Sequence, residues 1–217
     1  MTDLLADLLT VTAPLMRPAF YLLGGEVSWL ELVAVLLAVL MVLCNLRVNP
    51  LGWPLAIASS ALYGVLFLHS RLYGEAALQW VFIALAGWGW WLWLRGSGDA
   101  GQPLRVRWMG VRARWLALAL TAAAWPLLGA LLDHVTDSDV PYLDALPTVA
   151  SITGQVLLAR KWVDNWPVWF AVNLVSVGLF AIKGLWLTVV LYALFAGLSV
   201  VGWRAWAAMT SPEARHG

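Results

Sequence analysis

Apolar residues run along this chain in blocks of membrane thickness, broken by short polar stretches. A spanning helix needs roughly 20 mostly apolar residues. Seven blocks approach or meet that length, at about 28–46, 51–69, 75–94, 115–132, 145–160, 165–182 and 185–206. The fifth is the shortest and spans only if Arg160 snorkels at its end. The pattern predicts an all-α membrane protein with seven transmembrane helices. No interval between the blocks is long enough for a water-soluble domain of useful size.

Composition agrees with the pattern. The chain is 62% apolar and 12% charged, against about 25% charged in soluble domains. Its 13 Lys and Arg nearly balance 12 Asp and Glu, so net charge gives no reason to expect nucleic acid. The single cysteine, Cys44, falls inside an apolar block and reads as a packing residue, with neither disulfide nor metal. Residues 1–27 lack a basic n-region and do not read as a cleaved signal peptide. Their LLADLLTVTAPLM stretch fits either a short interfacial helix or a frayed terminus.

Charge position sets an orientation. One face carries Arg17, Arg71 and Lys183; the other carries Arg47, Arg95, Arg105, Arg107, Arg112, Arg114, Arg160, Lys161, Arg204 and Arg215. The richer face belongs in the cytoplasm. That predicts a multi-pass protein of the inner (plasma) membrane, N-terminus outside, with residues 208–217 as a cytoplasmic tail. The five arginines of loop 95–114 read as a topology signal on a plain connector.

A repeat emerges when the sequence is laid on itself with an offset of 113 residues. WPLAIASSALYGVLF (53–67) then covers WPVWFAVNLVSVGLF (166–180), and GWWLW (89–93) covers GWRAW (202–206). Thirteen identities fall between 47 and 93, including Trp53/Trp166, Pro54/Pro167, Gly89/Gly202, Trp90/Trp203 and Trp93/Trp206. Greasy composition produces Leu and Ala coincidences; it does not readily produce these. The repeat units are 28–94 and 142–207, and 95–133 holds the basic loop and linker helix 4. Four helices separate the two starts, so both units cross the bilayer in the same sense. This is a 3+1+3 parallel repeat, an architecture in which carriers place substrate at the repeat interface near the midplane.

Polar faces narrow the chemistry. Positions i, i+3 and i+7 share a helix face. The sixth helix places Trp166, Trp169, Asn173 and Ser176 on one face, and its mate places Trp53, Ser60 and Tyr63. The third helix adds Gln79 and Phe82, the fifth Thr148 and Gln155, and the seventh Tyr192. Helix–helix glue explains small hydroxyls. Gln79 and Asn173 carry amides with two donors and acceptor capacity that glue rarely fills. Aromatic walls with convergent amides suit a flat, polar, uncharged or cationic ligand. The many remaining tryptophans, Trp93 and Trp206 among them, read as interfacial anchors. No Lys or Arg lies mid-span to meet a phosphate. No Asp, Glu or His lies there to couple a proton, which favours facilitated movement. A retinal-type receptor would need a Schiff-base lysine in the last span, and hydrolase motifs are missing. The chain is therefore read as a non-enzyme without cofactor or metal; a non-transporting scaffold remains the structural alternative.

The run WPLAIASSALYGVLFLHSRLYGEAALQ, the following GWGWWLW, and W-x-x-W-x-x-x-N at 166–173 with KGLWLTVVLYALF resemble the PnuC nicotinamide riboside transporters, over about 29–206. The resemblance implies a fold related to the SWEET sugar carriers and a homotrimer in membrane lipid. It implies uptake of one vitamin-type substrate by facilitated diffusion, trapped through phosphorylation by a cytoplasmic kinase. By resemblance the family's second-half motif falls on Trp166, Trp169 and Asn173, and its first-half pair on Leu78 and Gln79. Relatives carry thiamine or riboflavin, and residue spacing leaves those substrates open.

Overall fold

A computed structural model of the chain describes residues 10–22, 25–69, 73–96, 104–135, 141–182 and 186–210. Residues 1–9, Arg71, Lys183, positions 136–139 and positions 211–217 of the predicted tail lie outside the described residues. A hairpin of β1 (Pro18–Leu22) and β2 (Gly25–Ser28) precedes the helices α1 (Trp29–Leu46), α2 (Gly52–His69), α3 (Tyr73–Arg95), α4 (Val111–Val135), α5 (Pro141–Ala159), α6 (Asn165–Ile182) and α7 (Trp186–Met209). Each predicted block lies within one of these helices, give or take a residue or two at its ends. Helix α5 starts earlier than its apolar block because Pro141 suits a first helical position, where an N–H would be unpaired anyway. Helix α4 starts earlier because backbone hydrogen bonding continues through the polar turn around Arg112 and Arg114.

The membrane character is plain on the surface. Leu36 is 53% and Leu127 72% exposed, as lipid-facing side chains should be. Among the described residues α1, α2, α4 and residues 189–209 are long and apolar enough to cross a bilayer. Helices α3, α5 and α6 carry Gln79, Thr148, Gln155 and Asn173. The chain is a multi-pass, all-α membrane protein apart from its short hairpin.

The hairpin follows the LLADLLTVTAPLM stretch, of which residues 4–9 lie outside the described residues. After a 3-10 turn at Ala13–Met16, Tyr21 pairs with Glu26 and Leu22 with Gly25 across an antiparallel ladder. The Trp29 N–H donates to the Arg17 carbonyl at 3.2 Å, which fastens the hairpin to the start of α1. The Gly-Gly turn signal in YLLGGEVS marks this in sequence.

Two compact units divide the chain, residues 1–94 and 95–217. In unit 1, α1 packs on α2; in unit 2, α5 packs on α4 and α6, and α6 on α7. Both units contain the same turn. Helix α1 ends with Val48 N–H donating to Asn45 O and Asn49 N–H to Cys44 O. Helix α5 ends with Lys161 N–H donating to Leu158 O and Trp162 N–H to Leu157 O. This is the paired closure of a Schellman cap, which needs a left-handed residue. Val48 and Lys161 supply it, both with φ of 54°. Glycine is the usual occupant, and a β-branched residue there is rare.

Each turn leads into the same aromatic lock. Trp53 meets Trp93 edge-on at 5.4 Å and 86°, and Trp166 meets Trp206 at 5.5 Å and 87°. A Cβ at Gly89 would collide with the Trp53 ring, and one at Gly202 with the Trp166 ring. Trp93 is 8% and Trp206 0% exposed, so both are buried packing residues and not the interfacial anchors expected. Trp90, Trp91 and Trp203 are exposed, as anchors should be.

The loop 95–114 is also more than a plain connector. In unit 2, Arg107 N–H donates to Lys161 O and Val163 N–H to Arg107 O. The Asp164 carboxylate accepts from Met109 N–H at 2.8 Å and from Arg114 Nε at 2.6 Å. Lys161 Nζ donates to Leu104 O at 3.1 Å, and partial burial lowers the Lys161 pKa. Residues 104–110 thus form a strap on the α5–α6 turn. The sequence hid it because its bonds join strap backbone groups to partners roughly 55 residues distant.

Candidate functional site

Unit 2 gathers the more polar half of the predicted residues. Gly154 on α5 leaves room for the Trp169 ring of α6, which a Cβ there would approach to 3.1 Å. The neighbouring Gln155 is 9% exposed. No described group hydrogen-bonds its amide, although it can donate twice and accept. The indole packed on Gly154 and the unbonded amide next along α5 are groups that a flat polar molecule could meet.

Asn173 lies one helical turn beyond Trp169, is 5% exposed, and donates from Nδ2 to Ser199 Oγ at 3.3 Å. Ser199 in turn gives its proton to Phe195 O at 2.8 Å, so it can only accept from Asn173. Part of the Asn173 amide is therefore interhelical glue between α6 and α7. Ser176, a turn further on, is 3% exposed. Tyr192 sets its ring edge-on to Phe195 at 6.3 Å. Thr148 bonds back to Asp144 O in its own helix at 3.1 Å, the ordinary use of a helical hydroxyl.

In unit 1, Tyr63 stacks on Phe67 at 6.0 Å and 26°. Gln79 on α3 lies against Gly64 on α2, where an added Cβ would stand 3.6 Å from the Gln79 Cβ. Ser60, Gln79 and Phe82 are half-buried. Trp53 and Trp166 sit in the aromatic locks at 1% and 3% exposure, so their first task is packing. Sequence reasoning passed over Gly154 as a participant. A small residue facing an aromatic one in the next helix was the available signal.

The sequence profile of nicotinamide mononucleotide transporters matches residues 28–208. The chain belongs to that family. It is a family of transporters, not of enzymes. The chain is 25% identical over 207 residues to the nicotinamide riboside transporter PnuC of Escherichia coli (strain K12), covering 84% of this chain and 87% of that one. It is 28% identical over 191 residues to the riboflavin/roseoflavin transporter RibM of Streptomyces davaonensis, covering 87% and 89%. The crystal structure of the vitamin B3 transporter PnuC shares the fold, with TM-score 0.70 at 22% identity over 100% of this chain and 92% of that one.

Proposed function

We propose that this family member carries nicotinamide riboside inward by facilitated diffusion, with net uptake driven by phosphorylation of the product in the cytoplasm. The observation that carries this reading is the unbonded Gln155 amide, one position along α5 from the Gly154 that seats Trp169. The substrate is a flat pyridinium bearing a carboxamide and a ribose. Trp169 and Tyr192 offer ring faces to the cation. In unit 2, Gln155, Asn173, Ser176 and Thr148 offer groups to the carboxamide and hydroxyls; taken by itself, unit 1 offers the polar groups of Gln79, Ser60 and Tyr63 and the apolar ring of Phe82. Trp53 and Trp166 hold the helices that present them. Relatives named for nicotinamide riboside support this choice.

The family's description names the phosphorylated mononucleotide. A phosphate calls for a cationic partner. Among the described residues the helical arginines, Arg95, Arg112, Arg114 and Arg204, stand near helix ends. This argues for the riboside. RibM favours a second reading, a larger aromatic vitamin such as riboflavin. The wider architecture in this proposal is a 3+1+3 repeat of seven spans over 28–94 and 142–207, supported by the matched turns and locks. The chain assembles as a homotrimer with its N-terminus outside.

A binding screen tests the proposal. Thermal stabilisation of purified protein should follow nicotinamide riboside more strongly than its phosphate, thiamine or riboflavin, because only a ligand of the native state stabilises it by mass action. Gln155→Leu, Asn173→Leu and Gln79→Leu should each weaken binding by at least about 1 kcal/mol, roughly fivefold. Tighter binding of the phosphate, or unchanged affinity in all three variants, ends this reading.

A further inference from the structure

A cavity of about 310 Å³ opens beside the hairpin, wholly within unit 1. Strand β2 contributes Glu26 and Ser28, the first turn of α1 contributes Glu31, and the last turn of α2 contributes Leu66 and Phe67. That volume is at the lower end for small-molecule sites, enough for one aromatic ring with its substituents. Two carboxylates and a phenyl ring line it, and among the described residues no Lys or Arg does. Ser28 is 8% exposed. Its Oγ accepts the Glu31 N–H at 3.1 Å, the first half of a Ser-x-x-Glu capping box. Capping explains where Glu31 is held. It does not explain why Glu26, from the hairpin, and Phe67, from another helix, border the same space. A carboxylate also has about four acceptor sites, and a cap uses one. The charge on Glu26 raises the pKa of the Tyr21 phenol beside it.

We propose that this cavity is a capture site for organic cations, which concentrates a pyridinium substrate before it is carried. The inference rests on the nicotinamide riboside reading for the identity of the cation. Carboxylates attract the positive ring at long range, and the Phe67 face receives it at short range. Phe67 is stacked on Tyr63, one of the proposed substrate contacts, so the cavity is continuous through one aromatic pair with that surface. A lipid ethanolamine headgroup has the same cationic chemistry and is the competing occupant.

The test is uptake into liposomes by the full chain and by the double variant Glu26→Gln, Glu31→Gln, checked for folded elution in detergent. Nicotinamide riboside is compared with its uncharged reduced form. The expected result at low ionic strength is a rise of about tenfold in the apparent KM for the cation, with the maximal rate kept and the neutral form unaffected. The difference should shrink as salt screens the field over about 10 Å. An unchanged KM, or an equal rise for both molecules, overturns the capture site. So does an effect confined to liposomes containing ethanolamine lipid, which would make the cavity a headgroup seat. Failure of the transport reading appears separately, as no uptake of nicotinamide riboside by the unaltered protein. In that event, binding of 1-methylnicotinamide to the purified protein decides: equal affinity in the wild type and the double variant overturns the site.

Discussion

Turn 47–51 in unit 1 and turn 160–164 in unit 2 bend through a residue at the same φ of 54°, close the preceding helix with the same pair of hydrogen bonds, and open into the same Trp–Trp lock. They differ in what they hold. Val48 and Leu51 occupy the first turn, where Lys161 and Asp164 in the second fasten the strap. The same divergence runs into the helices. Position 60 is Ser where 173 is Asn, and position 42 is Val where 155 is Gln. Backbone closure and ring-on-glycine packing are alike in the two units, and altering either costs folding. Hydrogen-bonding side chains have been free to specialise.

The lock gives the sharpest way to break this comparison. Trp93→Ala and Trp206→Ala each remove a buried indole from its partner, and each should cost about 3–5 kcal/mol. Melting of the purified protein should show similar losses in both. A loss in one unit alone would mean that the locks are not equivalent. Surviving folded protein should keep its ligand affinity.

A smaller effect separates the turns. Asp164→Asn removes the ion pair with Arg114 and weakens the bond from Met109 N–H, at a cost of about 1–2 kcal/mol. The ion pair supplies the lesser share, since the Arg114 side chain is 41% exposed and water screens it. Leu51→Asp should recover nothing in unit 1. Stabilisation by Leu51→Asp would mean that a second strap exists.

Smallest is the backbone. A non-glycine residue in the left-handed region carries about 1–2 kcal/mol of strain, partly offset by the greater freedom glycine has when unfolded. Val48→Gly should therefore raise stability by up to about 1 kcal/mol. Lys161→Gly should gain less, because it also removes the bond from Nζ to Leu104 O. Equal gains in denaturation midpoint would show that the Lys161 bond contributes nothing.

Much of this was legible in order along the chain. Helix positions followed from apolar blocks, since a lipid environment leaves the backbone few choices. The 113-residue offset found Trp53, Gly89 and Trp93 together with their mates, because large rings need matched space. The roles of those rings were less legible. Interfacial anchoring and buried packing both place tryptophan near helix ends, and only burial told Trp93 from Trp91. The hairpin was missed because two strands of five and four residues carry little periodicity. Spacing put Asn173 on an inward face but did not reveal that Ser199 accepts a hydrogen bond from its amide.

By itself the sequence determined the membrane class, the helix intervals and the internal likeness, all set by hydrophobic run length and by residues that resist substitution. Only the tertiary structure decided which polar groups are already paired. Hydrogen bonds such as Asn173 to Ser199 and Met109 to Asp164 join positions distant in the chain. Their existence depends on angstrom-scale approach between helices, which no local pattern encodes.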